Sequence, residues 1–332
     1  MLLLCCSLCW GNLWAVVPSP VGHKTIIKTL NLLKNDQLVI DNQYGDVEIK
    51  TWRHRKVRII ITIATQTQNS PLNKRANRVH IYAGRTQHVI SCRTTIDTNS
   101  SLSKIQSSVS YVVYAPDDLP LTVTNQFGNI NTGDYAGELT IYEKFGDFTA
   151  GKLLTAGHIR IEQGSMTIGK LQTGNVTAIG FNTIKIGDIS GNASCVFSSG
   201  HLLDINFGHK IDTLYIKADN IQLFNLRGLA GLPVKFKLQT KMVKWFNGSD
   251  VVFKPLRLSF APGLKLLKDS LRLKDKPNDT LRQADRDAIL DKKKKLADVM
   301  LRRKSDTYEA DAADAKGKIN VDVAFSVLYI LK

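Results

Sequence analysis

The side chains in this sequence best suited to chemistry are a group of cations near the C-terminus. Leu281, Ile289 and Leu296 follow a capping box at Thr280 with helical spacing, which predicts a helix at about 280–304. The basic residues of this segment are Arg286, Lys292, Lys293, Lys294, Lys295, Arg302 and Arg303. Such a cationic face would bind anionic lipid or lipopolysaccharide phosphate, at about 1 kcal/mol per favourable charge. Four aspartates on the same helix favour the alternative, a solvated helix packed on the rest of the chain.

A second candidate is a set of phenylalanines at regular spacing, Phe127, Phe145 and Phe181. Aromatic rings at one position of a repeat form a candidate ladder on which sugar rings could stack. The alternative is that the phenylalanines stack on one another at a corner, since aromatic pairs satisfy each other in this way.

Carboxylates and histidines make weaker candidates. Outward positions of the repeat described below never place two carboxylates on adjacent rows, as a carbohydrate-active enzyme would need. His158, His201 and His209 lack the spacing of a zinc site. Cys195 falls among buried aliphatic positions, which predicts an unreactive thiol. We therefore expect no catalytic residue, no metal and no cofactor.

Composition and charge narrow the class of protein. The 332 residues are 43% hydrophobic and 22% charged, which predicts a mostly folded chain of about two domains. The net charge is +16, and residues 241–304 contribute +10 of it, with 18 basic and 8 acidic side chains. This charge would suit an anionic partner. Because the next observation predicts export, we expect no nucleic acid partner.

The N-terminus predicts export. Residues 1–17 are largely apolar and end near Pro18 and Pro20. They are too short for a membrane span and fit a signal peptide at 1–20. Lipidation at Cys5, Cys6 or Cys9 is the less favoured alternative, because no small residue precedes any of them directly. The predicted location is the periplasm, the outer membrane surface or the medium.

An eighteen-residue repeat dominates the middle of the chain. The rows from Leu121 are LTVTNQFGNINTGDYAGE, LTIYEKFGDFTAGKLLTA, GHIRIEQGSMTIGKLQTG, NVTAIGFNTIKIGDISGN and ASCVFSSGHLLDINFGHK. The tenth position is apolar throughout, at Ile130, Phe148, Met166, Ile184 and Leu202. The third position runs Val123, Ile141, Ile159, Thr177 and Cys195, without any gap between rows.

Alternating apolar and polar residues within each row predict strands with one buried face. Glycine recurs at the eighth position, where we expect corners with positive φ. Each row then buries its apolar face only against the rows above and below it. These features predict an all-β, right-handed parallel β-solenoid with about 18 residues per turn, the hand following the general preference of parallel crossovers. A sandwich of ordinary strands is the alternative.

The ends of the repeat suggest the domain limits. The pattern fades near Leu226, and an alternating segment at about 318–331 predicts a closing strand. The predicted organisation is a signal peptide at 1–20, an N-terminal β module with a first solenoid-like turn at 21–120, the solenoid at 121–238, and a basic extension at 239–332.

One step of the repeat is distinctive. Asn-x-aromatic-Gly-x-aliphatic occurs at Asn42 to Val47 and at Asn125 to Ile130, and is echoed at Phe145 to Phe148. This step resembles the family of exported bacterial proteins called putative adhesins, which is related to the head domain of putative autotransporter adhesins. The resemblance covers about residues 38–226. It implies a β-solenoid displayed in the envelope or at the cell surface, and it implies no catalytic residues.

These observations predict a non-catalytic, adhesin-like scaffold that binds glycan, matrix or protein partners. The first alternative is an envelope-associated sensor or regulator that docks on anionic membrane through the basic helix. The second is a carbohydrate-active enzyme on a β-helix.

Overall fold

A computed structural model describes residues 22–65, 79–96, 107–241, 243–255, 306–312 and 315–331. The predicted signal peptide, the predicted helix and its seven basic residues lie outside these ranges. The described residues form nineteen strands and no helix, so none of them belongs to a helix able to span a membrane. The all-β prediction is confirmed for this part of the chain.

The strands pair into one large sheet. In chain order they are β1 Gly22–Asn31, β2 Gln37–Gln43, β3 Val47–Thr51, β4 Lys56–Thr65, β5 Val79–Thr86, β6 Val89–Ile96, β7 Ser107–Ala115, β8 Leu121–Gln126, β9 Ile130–Thr132, β10 Tyr135–Lys144, β11 Phe148–Glu162, β12 Met166–Ile179, β13 Thr183–Arg227, β14 Val234–Lys241, β15 Lys244–Asn247, β16 Lys254–Pro255, β17 Asp306–Asp311, β18 Gly317–Ala324 and β19 Val327–Ile330. The run β13 is long because it continues through corners of the repeat without losing its pairing.

Successive rows of the repeat pair in parallel, one above the next. Ile130 pairs with Phe148, Phe148 with Met166, and Met166 with Ile184, each pair eighteen residues apart. All four side chains are fully buried. The predicted stacking of these residues is confirmed, and it places the hydrophobic core between the strands of each row.

The gap-free alignment is wrong in one row. Val176, not Thr177, pairs with Ile159 below it and with Cys195 above it. The register shifts by one residue after Ala156 and is restored in the next row. The shift buries Val176, whereas Thr177 faces outward and is half-buried. Burial of the aliphatic side chain therefore overrides the even spacing.

At the N-terminal end the row order departs from the chain order. Strands β2 and β3 pair in parallel with β8 and β9 on one side and with β6 and β7 on the other. Asn42 is opposite Asn125 and Val47 is opposite Ile130, as their similar sequences predict. Beyond this, β5 lies antiparallel to β6, and β4 lies antiparallel to β7 and β1. Antiparallel strands thus cover this end of the parallel stack.

The C-terminal end also differs from the expectation. The predicted closing strand is two strands, β18 and β19, separated by a corner at Phe325. They lie inside the stack, where β18 pairs with β13 on one side and with β14 on the other. The stack therefore does not end near Leu226, because this C-terminal row and the β14 and β15 row extend it. Local pattern could not reveal this, since the paired residues are about a hundred positions apart.

Candidate functional site

Three aromatic rings form a stack at one corner of the rows. The rings of Tyr44 and Phe127 have centroids 5.0 Å apart and those of Phe127 and Phe145 4.9 Å apart, with 6° between the planes of each pair. Phe127 is 45% exposed and Phe145 41% exposed. We call Tyr44, Phe127 and Phe145 the aromatic corner.

The corner residues adopt a left-handed backbone conformation. φ is 59° at Tyr44, 58° at Phe127 and 60° at Phe145. In later rows Gln163, Gly180 and Ser199 have the same positive φ. A non-glycine residue with positive φ is uncommon, and for a bulky residue it costs on the order of 1 kcal/mol or more. Ring stacking, worth about 0.5–1.5 kcal/mol per pair, offsets that cost at the three aromatic positions.

The glycines beside the corner have a different role from the one expected. Gly128, Gly146 and Gly164 do not have positive φ, because the preceding residue makes the turn. Space is the constraint instead: a Cβ on Gly146 would lie 1.7 Å from the carbonyl O of Gly128 in the row below. The eighth position is therefore glycine because neighbouring rows approach closely there.

The structure does not bring all three predicted phenylalanines together. Phe181 is only 3% exposed, and its ring meets that of Phe197 edge-on at 6.0 Å. Gly180 holds the corner position of that row, with φ of 66°, so the register shift moves Phe181 away from the ladder. Tyr44 takes part in its place. The similarity of Asn42–Val47 to Asn125–Ile130 was the signal for this residue, since it sets Tyr44 opposite Phe127.

Charged and polar groups flank the aromatic corner on both sides. Lys144 Nζ lies 5.2 Å from the centroid of the Phe145 ring and 3.6 Å from a carboxylate oxygen of Glu162. On the other side, Asp46 Oδ1 accepts a hydrogen bond from the backbone N–H of Asn129 at 2.8 Å. Asn129 in turn accepts from Asp147 N at 3.0 Å. These acidic and amide side chains join one row to the next and do not form a catalytic pair.

Two contacts between rows involve charged side chains at the surface. Lys170 Nζ lies 3.0 Å from Asp188 Oδ2. Asp134 accepts a hydrogen bond at 2.7 Å from the backbone N–H of Lys152. An exposed pair of this kind contributes roughly 0 to 1 kcal/mol, so neither contact defines a site.

Beneath the aromatic corner runs a chain of buried polar side chains, which we call the polar ladder. It consists of Tyr111, Thr94, Asn42, Asn125 and Glu143, all nearly or fully buried. Thr94 donates to Asn42 Oδ1 at 3.1 Å, Asn42 Nδ2 donates to Asn125 Oδ1 at 3.0 Å, and Asn125 Nδ2 donates to Glu143 Oε2 at 3.2 Å. At the far end, the hydroxyls of Thr94 and Tyr111 are 2.7 Å apart. Sequence reasoning missed this ladder, although a signal was present: Asn125 and Glu143 hold the fifth position of their rows, two residues after the inward Val123 and Ile141.

Glu143 ends the ladder in an unusual environment for a carboxyl. Its side chain is 2% exposed, and Oε1 has no hydrogen-bond partner among the described residues. Burial raises the pKa of Glu143 from 4.5 to about 8, opposed in part by the hydrogen bond from Asn125. The carboxylates of Asp46 and Asp147 raise the pKa further. A pKa in this range favours the neutral acid at pH 7.

Other predicted candidates are placed as follows. Within the described residues, no group of three or more His, Cys, Asp or Glu side chains is arranged to hold a metal ion. His201 Nδ1 lies 2.6 Å from Gln222 Oε1 at the surface. Cys195 is fully buried, and burial raises the pKa of its thiol to about 12. The reactive form of this thiol is therefore scarce at neutral pH.

A cleft of about 770 Å³ opens at the other end of the stack. Its lining includes the apolar side chains of Leu232, Phe236 and Val252 and the charged side chains of Lys254 and Glu309. Lys254 and Glu309 are opposite one another on β16 and β17. The volume is sufficient for a small ligand, and the lining is mainly apolar.

No family model and no curated protein matches this chain. Solved structures similar to it include a "putative adhesin" from Bacteroides fragilis, with 10% identity, a TM-score of 0.39, and coverage of 63% of this chain and 91% of that chain. A "putative adhesin" from Parabacteroides merdae has 13% identity, a TM-score of 0.31, and coverage of 61% and 88%. A "putative cell adhesion protein" from Clostridium sporogenes has 8% identity, a TM-score of 0.25, and coverage of 93% and 99%.

Proposed function

We propose that this protein is an exported, non-catalytic, adhesin-like scaffold that binds a partner through the aromatic corner. The scaffold would be a right-handed parallel β-solenoid, and the parallel pairing of rows eighteen residues apart supports its winding. The general preference for right-handed connections between parallel strands supports its hand. Stacked rows hold side chains at fixed spacing, which suits a binding surface on a rigid support.

The observation that carries the proposal is the exposure of the aromatic corner. Phe127 and Phe145 combine large apolar side chains, positive φ and more than two fifths of their surface in water. Gln163 and Ser199 hold the same corner conformation without an exposed ring. The turn itself therefore does not require aromatic residues, and an exposed apolar group on a rigid support is typical of an interaction surface.

Geometry also favours one class of partner. Sugars stack on the faces of aromatic rings, but here the faces of Phe127 are covered by Tyr44 and Phe145. The Phe127 ring therefore has only its edge left to contact a partner. A row of apolar edges between Lys144 on one side and Asp46 on the other suits a protein surface with apolar and polar groups better than a pyranose ring. We therefore propose a protein of the cell surface or matrix as the partner.

Binding with matched variants tests this proposal. The chain would be applied to immobilised collagen, laminin and fibronectin, to cultured cells and to a glycan array. Replacing Phe127 and Phe145 by Asn, which tolerates positive φ, should abolish binding to the protein target. Gln163→Asn, at the same corner of the next row, should leave it intact. Unchanged binding by the double variant would refute the aromatic corner as the contact, and binding to glycans alone would refute the partner class.

A second candidate function is docking on anionic membrane, as a sensor or regulator of the envelope. It is favoured by the pairing of β16 with β17, the two strands that flank the basic segment 256–305 in the sequence. This segment carries Lys292, Lys293, Lys294 and Lys295. Replacing these four by Gln should abolish binding to vesicles containing phosphatidylglycerol. Equal binding by the variant and the unaltered chain would refute this function.

Export needs its own experiment. Fractionating the producing cells and sequencing the N-terminus of the protein would establish its location and any cleavage near residue 20. Recovery from the cytoplasm with residues 1–20 intact would overturn the exported role.

A further inference from the structure

Glu143 occupies a position in the polar ladder where the two rows on one side of it, those of β8 and β2, have an amide. Asn42, Asn125 and Glu143 are in register on β2, β8 and β10. In the row of β2, Asn42 Nδ2 donates to the carbonyl O of Gly45 at 3.1 Å and to that of Val109, in the preceding row, at 2.9 Å, and so ties the ladder to the corner. An ionised carboxylate has no proton with which to make an equivalent contact.

The surroundings of Glu143 place two oxygens close together. A Cβ on Gly146 would lie 1.7 Å from the carbonyl O of Gly128 and 2.6 Å from Glu143 Oε1, so these oxygens are no more than about 4.3 Å apart. Neither atom can donate a hydrogen bond to the other while Glu143 is ionised. With a proton on Oε1, Glu143 becomes a donor for which this carbonyl is a nearby acceptor.

Few groups near Glu143 could compensate a negative charge. Asn125 of β8 donates to Oε2, and the backbone N–H of Lys144 stabilises the charged form weakly. Asp46, from the corner between β2 and β3, and Asp147, from the corner after β10, add negative charge. The next row, β11, has Ile161 at the equivalent position, which supplies no donor.

We infer that the protonation state of Glu143 controls the aromatic corner. The neutral acid holds the corner in the observed conformation, the closed form, and ionisation loosens the corner at Phe127 and Phe145. In the closed form, the proton on Oε1 donates to the carbonyl O of Gly128, the residue that follows Phe127. Loss of the proton leaves a buried carboxylate against a carbonyl, and admitting water to relieve this requires the corner to move.

Protonation of Glu143 would regulate the binding of a partner at the aromatic corner, and only this regulatory role rests on the proposed function. The protonation and the movement belong to the chain by itself. They can therefore be measured without any partner, and failure of partner binding would leave the result unaffected.

The experiment is an NMR titration of the full chain from pH 6 to 9.5, following the Glu143 carboxyl carbon and the ring signals of Phe127 and Phe145. We expect all three to change together, with one midpoint near pH 8. In Glu143→Gln, which has nearly the same shape and is always neutral, the ring signals should stay constant over this range. Constant ring signals in the unaltered chain, or the same titration in the Gln variant, would overturn the inference.

Hydrogen exchange provides a second measurement that does not depend on the variant folding. Protection of the Phe127 and Phe145 amides, corrected for the chemical effect of pH, should fall by up to about tenfold per pH unit above the midpoint, the limit for one proton. The amide of Gln163 serves as the internal control, since its row has Ile161 in the ladder position. Equal loss of protection at all three amides would indicate general loosening and would contradict a local role for Glu143.

Discussion

Asn42 and Asn125 are 83 residues apart in the sequence, yet their amide groups are bonded at 3.0 Å inside the protein, where both side chains are fully buried. The bond joins two rows that are not consecutive in the chain, because β4 to β7 intervene between them. Asn125 also connects Asn42 to Glu143, because it accepts a hydrogen bond from Asn42 and donates one to Glu143. The polar ladder therefore fixes how the N-terminal rows meet the repeat.

The first prediction concerns this bond. Asn125→Ala should lower the free energy of unfolding by about 2 to 4 kcal/mol, because it removes the acceptor for Asn42 in that row and the side-chain donor to Glu143, both in a buried site. Urea unfolding followed by circular dichroism measures the loss. Thr124→Ala, one residue away and facing outward, is the matched control and should change stability by less than about 1 kcal/mol. Equal effects of the two substitutions would show that the ladder adds nothing specific.

The second prediction concerns close approach of the rows. Gly146→Ala should destabilise the protein by about 3 kcal/mol or more, because the new Cβ would meet the carbonyl O of Gly128 at 1.7 Å. Gly133→Ala is the control, since a Cβ at Gly133 would have no atom within 4 Å. The difference in thermal midpoint between the two variants is the measurement. A Gly146→Ala variant as stable as Gly133→Ala would mean that the rows can separate without cost.

The third prediction is a pH dependence with a defined sign. The pKa of Glu143 is about 8 in the folded chain and near 4.5 when unfolded, so between these values the folded chain binds more protons. The contribution of Glu143 to stability is therefore greatest below pH 4.5, falls as pH rises, and levels off above pH 8.

Glu143→Gln should remove this contribution. The free energy of unfolding of the variant minus that of the unaltered chain should rise by about 2 to 4 kcal/mol between pH 5 and pH 9, because only the unaltered chain loses the Glu143 contribution. The upper end follows from 1.36 kcal/mol per pKa unit. Urea unfolding at several pH values measures the difference. The same pH profile for both proteins would contradict the assignment of a neutral acid at this position.

The fourth prediction concerns the two buried thiols. Burial raises the pKa of Cys92 to about 11 and that of Cys195 to about 12. Neither should react with iodoacetamide at pH 8 in the folded chain, and both should react in guanidinium chloride. Mass spectrometry of the digested protein locates the label. Modification of Cys195 under native conditions would show that its row opens readily.

The eighteen-residue register could be predicted because the sequence repeats both the apolar positions and the close approach of rows. Ile130 and Phe148 indicate the register because both are large apolar residues eighteen positions apart. Gly128 and Gly146 indicate it because glycine recurs where the rows approach closely. The register shift at Val176 could not be predicted, because Val176 and Thr177 both suit a strand and only packing against Ile159 and Cys195 decides between them.

The aromatic corner was predictable in part. Phe127 and Phe145 share a position in the repeat, and Tyr44 could have been added from the similarity of its neighbours to those of Phe127. Phe181 has the same position number in its row, but the register shift displaces it. Glu143 follows Leu139 and Ile141 at alternate positions, so the strand pattern already places it on the buried face. Its hydrogen bond with Asn125 could not be predicted, because the pattern does not show which buried polar groups are bonded.

The last prediction concerns the C-terminal row, β18 and β19. Val321 is fully buried and pairs with Ile216 of β13 on one side and with Leu238 of β14 on the other. Val321→Asp would bury an unpaired charge and should weaken both neighbours at once. Amide hydrogen exchange should therefore speed up at Ile216 and Leu238, while Val123 in the first repeat row stays protected. Asn320→Asp, facing outward beside Lys237, is the control and should leave all three amides unchanged. Faster exchange at Leu238 alone would mean that the row only supports β14, whereas faster exchange at both neighbours shows that the C-terminal residues hold two rows together.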